Sequence, residues 1–461
     1  VPAPAAPAMG RDPAGRTRLL TTSDGPRGEA LQQDLERRGA RVLRVVLKDD
    51  LDATLPAELD SPRQTSWPRH RAAELAEKVR STYPDLQGWI HEAAVDGTDR
   101  TALELLGPVH ALAATLDPEH AALLTGMGGT LGLAPGGAGA PAQGALIGYA
   151  QSLGRERPQR VVRAIDVDPG EAPQACAAAV LAEVLAGPAE TEVGLAGGKR
   201  WTAAFGPADG EPSRSAIGPK DVVLVTGGAG EIGSQAALRI AARKPKAILL
   251  VGRRPSNRDI DALLGRLSAA GTTGVYVQAD ASGPELKAAV APIEARVGPV
   301  TVAIHAAGRI EDAAAPKKDW ASVERVVRAK VQTAETLQAH FPELRDLILF
   351  TSWAGRFGNA GQVDYAAANA VLDRWAATES EARRVVALAW PPWDGTAMVR
   401  SIPGPVRRAM EAQGVTFLGM EEGLDLLEQV LDTDARGVQL VGAETLRRPL
   451  QRTDVEAFSA E

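Results

Sequence analysis

Cysteine is nearly absent from this chain: Cys176 is the only one in 461 residues. One thiol makes neither an intrachain disulfide nor a thiolate metal cluster, and it fits a reducing compartment, so a cytoplasmic setting is expected. Long apolar runs are missing as well. No stretch approaches the ~20 uninterrupted apolar residues that cross a bilayer, and no membrane association is expected. Positive charge is not in excess: 51 Lys and Arg against 58 Asp and Glu leave a net charge of −7 and a pI near 5.6. Such a surface offers no broad positive field to a nucleic acid. The six histidines, His70, His91, His110, His120, His305 and His340, show neither H-x-x-x-H nor H-E-x-x-H spacing, so no metal site is expected. Residues 1–7 form a Pro/Ala run without a charged leader segment and read as linker, and a first residue of Val rather than Met suggests a piece cut from a longer polypeptide.

What remains is ordinary globular composition, 44% hydrophobic and 24% charged. The length exceeds the ~250–300 residues at which a single core stops growing, so two domains with two cores are expected. From Asp221 onward, apolar runs at 222–226, 247–251, 275–280, 300–305, 347–351 and 385–390 alternate with amphipathic stretches. Continuous apolar strands of this kind are buried on both faces, as in a parallel doubly wound sheet. A seventh run, 438–441, would close one edge. The first half repeats the theme less cleanly at 17–21, 41–47, 88–93, 121–125 and 162–168. After its first strand, Thr22-Ser23-Asp24-Gly25-Pro26-Arg27-Gly28 lacks three glycines at pyrophosphate spacing, so no dinucleotide is expected there. Gly126-Met127-Gly128-Gly129, without a charged partner after it, reads as a loop of small packing residues. Gly, Pro and Ser around 206–220 mark a boundary. The expected division is a linker at 1–15, a first α/β unit at 16–212, a second at 213–450 and a tail at 451–461.

The strongest signal is Val222-Val223-Leu224-Val225-Thr226-Gly227-Gly228-Ala229-Gly230-Glu231-Ile232-Gly233, an apolar strand running into a glycine turn and a helix. Gly228, Gly230 and Gly233 satisfy G-x-G-x-x-G in the setting that gives the motif meaning. The backbone must turn tightly, approach a pyrophosphate and aim helix N–H groups at the anion. Thr226, Gly227, Glu231 and Ile232 belong to the same candidate cradle. The second strand ends in Val251-Gly252-Arg253-Arg254, with no acidic residue before Asp259. Two guanidiniums suit the 2′-phosphate of NADP, so NADPH is the expected cofactor. Asp280, ending the third strand, is placed to meet the adenine edge or to cap a helix.

After the fifth strand the chain reads Phe350-Thr351-Ser352-Trp353-Ala354-Gly355-Arg356-Phe357-Gly358-Asn359, and soon afterwards Tyr365-Ala366-Ala367-Ala368-Asn369. The Ser352-to-Tyr365 separation, the glycine turn and His305-Ala306-Ala307-Gly308 together resemble the short-chain dehydrogenase/reductase superfamily. Within it, they resemble the ketoreductase domains of polyketide and polyunsaturated fatty acid synthases. The resemblance is close over residues 215–445. The first half looks like the truncated, cofactor-free structural subdomain such domains carry in front, supported by Arg155-Glu156-Arg157-Pro158 and Arg163-Ala164-Ile165-Asp166. The implied fold is α/β with two Rossmann-like subdomains, the N-terminal one structural and the C-terminal doubly wound one catalytic.

Carbonyl reduction needs a hydride donor, a proton donor and a group to hold the developing oxyanion. Tyr365 would give the proton and Ser352 would donate to the substrate oxygen. A free phenol of pKa ~10 is a poor partner at neutral pH. An ammonium ~4 Å away at an effective dielectric near 20 is worth ~4 kcal/mol, enough to bring it near 7. Most of the superfamily carries that lysine four residues after the tyrosine, where this chain has Asn369. The polyketide ketoreductases exchange the two, which makes Lys330 the implied ammonium and Asn369 a residue that orients it. Ala306, Ala307 and Gly308 join the cofactor site.

Arg309-Ile310-Glu311-Asp312 stands where ketoreductases giving the D-hydroxyl usually show Leu-Asp-Asp, and Phe357 stands where the opposite class has tryptophan. With Trp393 and Met398, from a segment resembling the family's lid, Ile310, Glu311, Asp312 and Phe357 are the candidate substrate and stereocontrol residues. The implied activity is NADPH-dependent reduction of a β-ketoacyl thioester to the D-β-hydroxyacyl product. The implied partners are an acyl carrier protein, with its chain on phosphopantetheine, and neighbouring synthase domains. The rival readings are a catalytically silent ketoreductase-like module that organises a megasynthase, and a free-standing reductase of small ketones, against which the long first half weighs.

Overall fold

The computed structural model describes residues 13–49, 65–97, 99–134, 140–186, 190–204, 217–378, 383–412 and 415–441. Two sheets account for both halves. The first has strands β1 (Thr17–Thr22), β2 (Arg41–Lys48), β3 (Thr65–Pro68), β4 (Gly88–His91), β5 (His120–Thr125), β6 (Val161–Val167), β7 (Glu192–Ala196) and β8 (Lys199–Trp201) in the order 3-2-1-4-5-6-7-8. All neighbours are parallel except the β7–β8 hairpin. The second has β9 (Val222–Thr226), β10 (Ala247–Gly252), β11 (Thr273–Gln278), β12 (Val302–His305), β13 (Asp346–Ser352), β14 (Arg384–Trp390) and β15 (Gly437–Leu440) in the order 11-10-9-12-13-14-15, parallel throughout. Strands β9, β12 and β14 are buried at every position, which is why they read as unbroken apolar runs. Among the described residues, no helix is long and apolar enough to cross a membrane.

The first sheet is larger than the sequence indicates: β3, β7 and β8 were not expected. Strand β8 has three residues and β3 reads Thr-Ser-Trp-Pro, neither an apolar run nor an alternating one. The glycine cluster at 126–129 is a tight loop wrapped on buried Asp166, whose carboxylate accepts from Thr125 Oγ1 (2.8 Å), Met127 N (2.7 Å) and Leu131 N (2.8 Å). The expected boundary near 212 and the tail at 451–461 lie outside the described residues.

In both sheets the order reverses beside the first strand, where doubly wound folds bind ligands. The two halves place the same pair there: Thr21 Oγ1 lies 2.9 Å from His91 Nδ1, and Thr226 Oγ1 lies 2.8 Å from His305 Nδ1. In the first half this crevice is filled by protein. Arg27 donates to Glu92 (3.1 Å), Asp96 (3.1 Å) and the Pro169 carbonyl (3.3 Å), and Ser23 closes on the same two carboxylates.

Each half has apolar clusters of its own, and a further one is shared across the halves. Leu146, Tyr149 and Leu153 of the helix Gly144–Glu156 pack with Val363, Ala367 and Val371 of the helix Val363–Thr378 and with Val323, Val327 and Val331. The two helices approach so closely that a Cβ on Gly148 would lie 2.3 Å from the Ala366 carbonyl oxygen. Only glycine fits there.

Candidate active site

The glycine turn is built by sterics. Gly227 has a φ of +67°, and a Cβ on it would sit 2.9 Å from the backbone of Ala307. Gly233, in the first turn of the helix Glu231–Ala241, packs on the Gly227 carbonyl oxygen, 2.3 Å from where its Cβ would be. The Thr226 carbonyl accepts from Ala306 N (3.2 Å) and the Thr226 hydroxyl from Ala307 N (3.4 Å), joining both strand ends into one cradle. Gly228 and Gly230 continue the turn, Gly230 as the extended residue before the helix. Ile232 packs on the core beneath. This bare backbone at a helix N-terminus fits a dinucleotide pyrophosphate. Arg254 lies over the turn, donating to the Ala229 carbonyl at 3.0 Å. Arg253 and Arg254 are exposed, and among the described residues neither is in an ion pair with a carboxylate, which suits a further phosphate.

Two of the residues grouped with this cradle are engaged elsewhere. Glu231 turns to the 397–400 segment, accepting from Ala397 N (2.8 Å) and Arg400 Nη2 (2.9 Å), contacts that hold its carboxyl below the usual range. Asp280 falls beyond β11 and caps its own turn, accepting from Ser282 N (3.0 Å) and Ser282 Oγ (2.7 Å).

Ser352 ends β13 and its hydroxyl accepts from Ala354 N (3.2 Å), starting the short helix Trp353–Phe357. Tyr365 stands in the first turn of the helix Val363–Thr378. Asn369, one turn on and fully buried, donates from Nδ2 to the Tyr365 carbonyl at 2.8 Å. Burial pushes the Tyr365 phenol above its ordinary 10; the Ser352 and Asn369 side chains beside it pull it part of the way back, and Asp312 adds a small upward push. The structure thus moves the phenol up, opposite to the lowering that Lys330 is expected to produce.

Lys330 explains why. It sits in a π-helical turn, Arg328–Gln332, of the kind that often marks functional sites. Its ammonium is buried and donates to the Phe350 carbonyl at 2.6 Å, two residues before Ser352, rather than to the phenol. Burial lowers it to about 8, with Asp373 opposing. The Lys330 carbonyl accepts from His305 Nε2 at 2.9 Å, a ring that burial drives to about 3 and so keeps neutral. Gly308 passes against the lysine side chain.

The residues assigned to stereocontrol divide. Asp312 faces the tyrosine segment, its carboxylate accepting from Gln362 Nε2 at 3.1 Å. Ile310 is partly buried in the same loop. Glu311 instead holds Arg309 and Arg325, the latter at 2.6 Å, which keeps its carboxyl well below the usual range. Phe357 stacks edge-on against Trp353, ring centroids 6.1 Å apart. Met398 is exposed. Trp393 is a core residue: it is buried against Trp390, centroids 4.8 Å apart, and against Gly423, so the expectation that it faces substrate is corrected.

Two groups escaped sequence reasoning. Asp373, one turn beyond Asn369 and two beyond Tyr365 on the same helix, is fully buried. An acid at that spacing on a helix of Ala, Val and Leu is a signal the sequence does carry. Lys318 and Asp364 form a buried ion pair at 2.9 Å beside Tyr365, and no short-range pattern joins residues so far apart.

Comparison with known proteins bears on this geometry. The family model described as KR domain matches residues 221–395. Erythronolide synthase EryA3 of Saccharopolyspora erythraea is 30% identical over 463 residues, covering 97% of this chain and 13% of that protein. Mycoketide-CoA synthase of Mycobacterium tuberculosis is 34% identical over 225 residues, 46% of this chain and 5% of that protein. A solved structure described as an A1-type ketoreductase is 25% identical with a TM-score of 0.71, covering 97% of this chain and 93% of that one. The chain spans 13% or less of the length of these two curated relatives. With the paired parallel sheets and the glycine cradle, these matches put the chain among the ketoreductase domains of polyketide synthases, oxidoreductases of the short-chain dehydrogenase/reductase type.

Proposed function

We propose that this domain reduces the β-keto group of an acyl thioester to a D-β-hydroxyl with NADPH, the acyl chain arriving on the phosphopantetheine arm of an acyl carrier protein. The observation that carries this reading is the meeting of Tyr365, Ser352 and Asn369 at the C-terminal end of β13, in the sheet whose β9 carries the glycine cradle. The setting we infer is the cytoplasm, which the lone buried Cys176 suits, with neighbouring synthase domains as partners.

Thr226, Gly227, Gly228, Gly230, Gly233, Ala306, Ala307 and Gly308 would hold the cofactor, with Arg253 and Arg254 on its 2′-phosphate. When bound, it supplies the hydride. Ser352 donates to the ketone oxygen, and Tyr365 gives that oxygen its proton as the carbon is reduced. A raised phenol pKa keeps Tyr365 protonated, as a donor must be. The charge left on the phenol is then stabilised by Ser352, Asn369 and Lys330, the last by swinging its ammonium from the Phe350 carbonyl. Asp312 and Ile310 shape the side on which the acyl chain lies.

The test follows NADPH oxidation with a β-ketoacyl thioester. Tyr365→Phe is expected to lower kcat about 10²- to 10⁴-fold, the usual worth of a positioned acid. Equal rates would eliminate the mechanism. Cofactor binding without turnover in the parent would favour the silent structural module, a reading to which the turned-away Lys330 lends weight. Chiral analysis of the product checks the configuration, and an L-hydroxyl overturns that part.

A further inference from the structure

The half that lacks a glycine cradle reaches the loops after Asp312 and before Tyr365 through one helix. Glu156 ends the helix Gly144–Glu156, and its carboxylate accepts two backbone N–H groups: Ala315 N on Oε2 at 2.8 Å and Gly361 N on Oε1 at 3.0 Å. Those amides belong to different loops. Ala315 follows the segment carrying Ile310 and Asp312; Gly361 lies four residues before Tyr365. Two neighbours on the same helix grip the second loop as well. Ser152 Oγ accepts from Asn359 N at 3.0 Å, and Arg155 Nε donates to the Phe357 carbonyl at 3.1 Å. The loops also bond to each other, Ala313 N to the Gly361 carbonyl at 3.0 Å and Gln362 Nε2 to Asp312 at 3.1 Å. Glu156 is the one side chain among these that holds both loops at once.

We propose that Glu156 is a positioning residue for the reduction: its carboxylate locks the two loops that bound the substrate entrance into one register, and thereby sets how the acyl chain presents its ketone to Tyr365. The inference rests on the reading of Tyr365 as proton donor. Only a carboxylate fits the role, because each oxygen must accept. An amide would turn an NH₂ against one of the two N–H groups and leave it unpaired.

Glu156→Gln keeps the shape and removes one acceptor. The expected result, with a β-ketoacyl thioester as probe, is a KM roughly tenfold higher, from one lost hydrogen bond, and a product mixed in hydroxyl configuration, while the Kd for NADPH is unchanged. Hydrogen exchange at the Ala315 or Gly361 amide should quicken by a similar factor. A purely structural role would lower the melting temperature with KM and configuration intact, and that result overturns the proposal, as does a parallel loss of NADPH binding. Ser152→Ala, which frees Asn359 N and removes the longer donation to the Gln362 carbonyl but leaves the Ala315 loop untouched, should shift KM and configuration the same way by less, and no shift there counts against the proposal should Glu156→Gln fail to fold. A parent without turnover sinks the Tyr365 reading, whereas unchanged exchange at both amides sinks the clamp itself.

Discussion

At the residue scale the site turns on how burial competes with charge. Tyr365 and Lys330 are both driven by desolvation toward their neutral forms, the phenol up from 10 and the ammonium down to about 8. Asp373 is the acid that opposes this for Lys330, itself held among Arg374, Arg356 and the Thr351 hydroxyl and raised by burial. Removing its charge must lower Lys330 further. Asp373→Asn is therefore expected to move the alkaline limb of the pH–kcat profile to lower pH by roughly one pH unit, about 1.4 kcal/mol of lost interaction. A limb that stays put would show that Lys330 does not titrate in turnover or that Asp373 does not act on it. At the cofactor end, replacing Arg253 and Arg254 with alanine is expected to weaken NADPH roughly tenfold, the worth of one charged hydrogen bond, with little change for NADH. Equal weakening of both would mean the pair holds no 2′-phosphate. The sequence displayed Ser352, Tyr365, Asn369 and the glycines because each sits in a short run of fixed spacing. It was silent on the direction of the lysine, since the Phe350 carbonyl becomes its partner only when β13 and the π-turn pack together.

At the scale of elements, legibility follows burial on both faces. Strands β9, β10, β12, β13 and β14 stand where their apolar runs lie, give or take two residues, because no polar face interrupts them. Strands β3 and β8 escaped because a short strand is defined by its neighbour's backbone more than by its own side chains. The π-turn at Arg328–Gln332 leaves no mark on composition at all. The segment after β14 resembles the family's lid in sequence, but its attachment was not legible there. The turn Ala397–Arg400 is tied to the cradle helix by Glu231, and the helix Gly404–Ala412 beyond it has no buried residue. Arg407 holds that helix through Asp394 at 3.0 Å. Exposed ion pairs of this kind are worth only about 0.2–1 kcal/mol each. Glu231→Ala is thus expected to speed trypsin cleavage after Arg400 or Arg408 by only about two- to fivefold. An unchanged cleavage rate would show that packing, rather than this latch, holds the segment.

At the scale of the whole molecule, the first half contributes structure whose cost depends on pH. Burial raises Glu92 from 4.5 to about 7 and Asp166 from 3.8 to about 6. Between the unfolded and folded values the native state binds more protons than the unfolded chain. The stabilisation is therefore fully present below about pH 4 and is lost as pH rises through 6 and 7. For Glu92 the shift corresponds to about 3 kcal/mol, so Glu92→Gln should flatten the fall in melting temperature between pH 5 and pH 8; an unaltered slope would place the titration elsewhere. The halves are joined by a second buried acid. Glu192 on β7 accepts from Arg356 at 2.6 Å and Arg374 at 3.3 Å, both arginines from the second half and both buried, while Gln151 donates to the same carboxylate at 3.0 Å. Removing one member of such a group strands the others' charge without water, which costs about 3–5 kcal/mol. Because this triad and the apolar cluster shared by the helices Gly144–Glu156 and Val363–Thr378 both span the halves, the clusters within each half are tied to one another. Urea denaturation of the parent should then show one transition by every probe, and Glu192→Gln should shift that single midpoint down without splitting it. Two separated transitions in the parent would mean that each half is held together from within, and the bracing of the tyrosine helix by the cradle-free half would have to be abandoned.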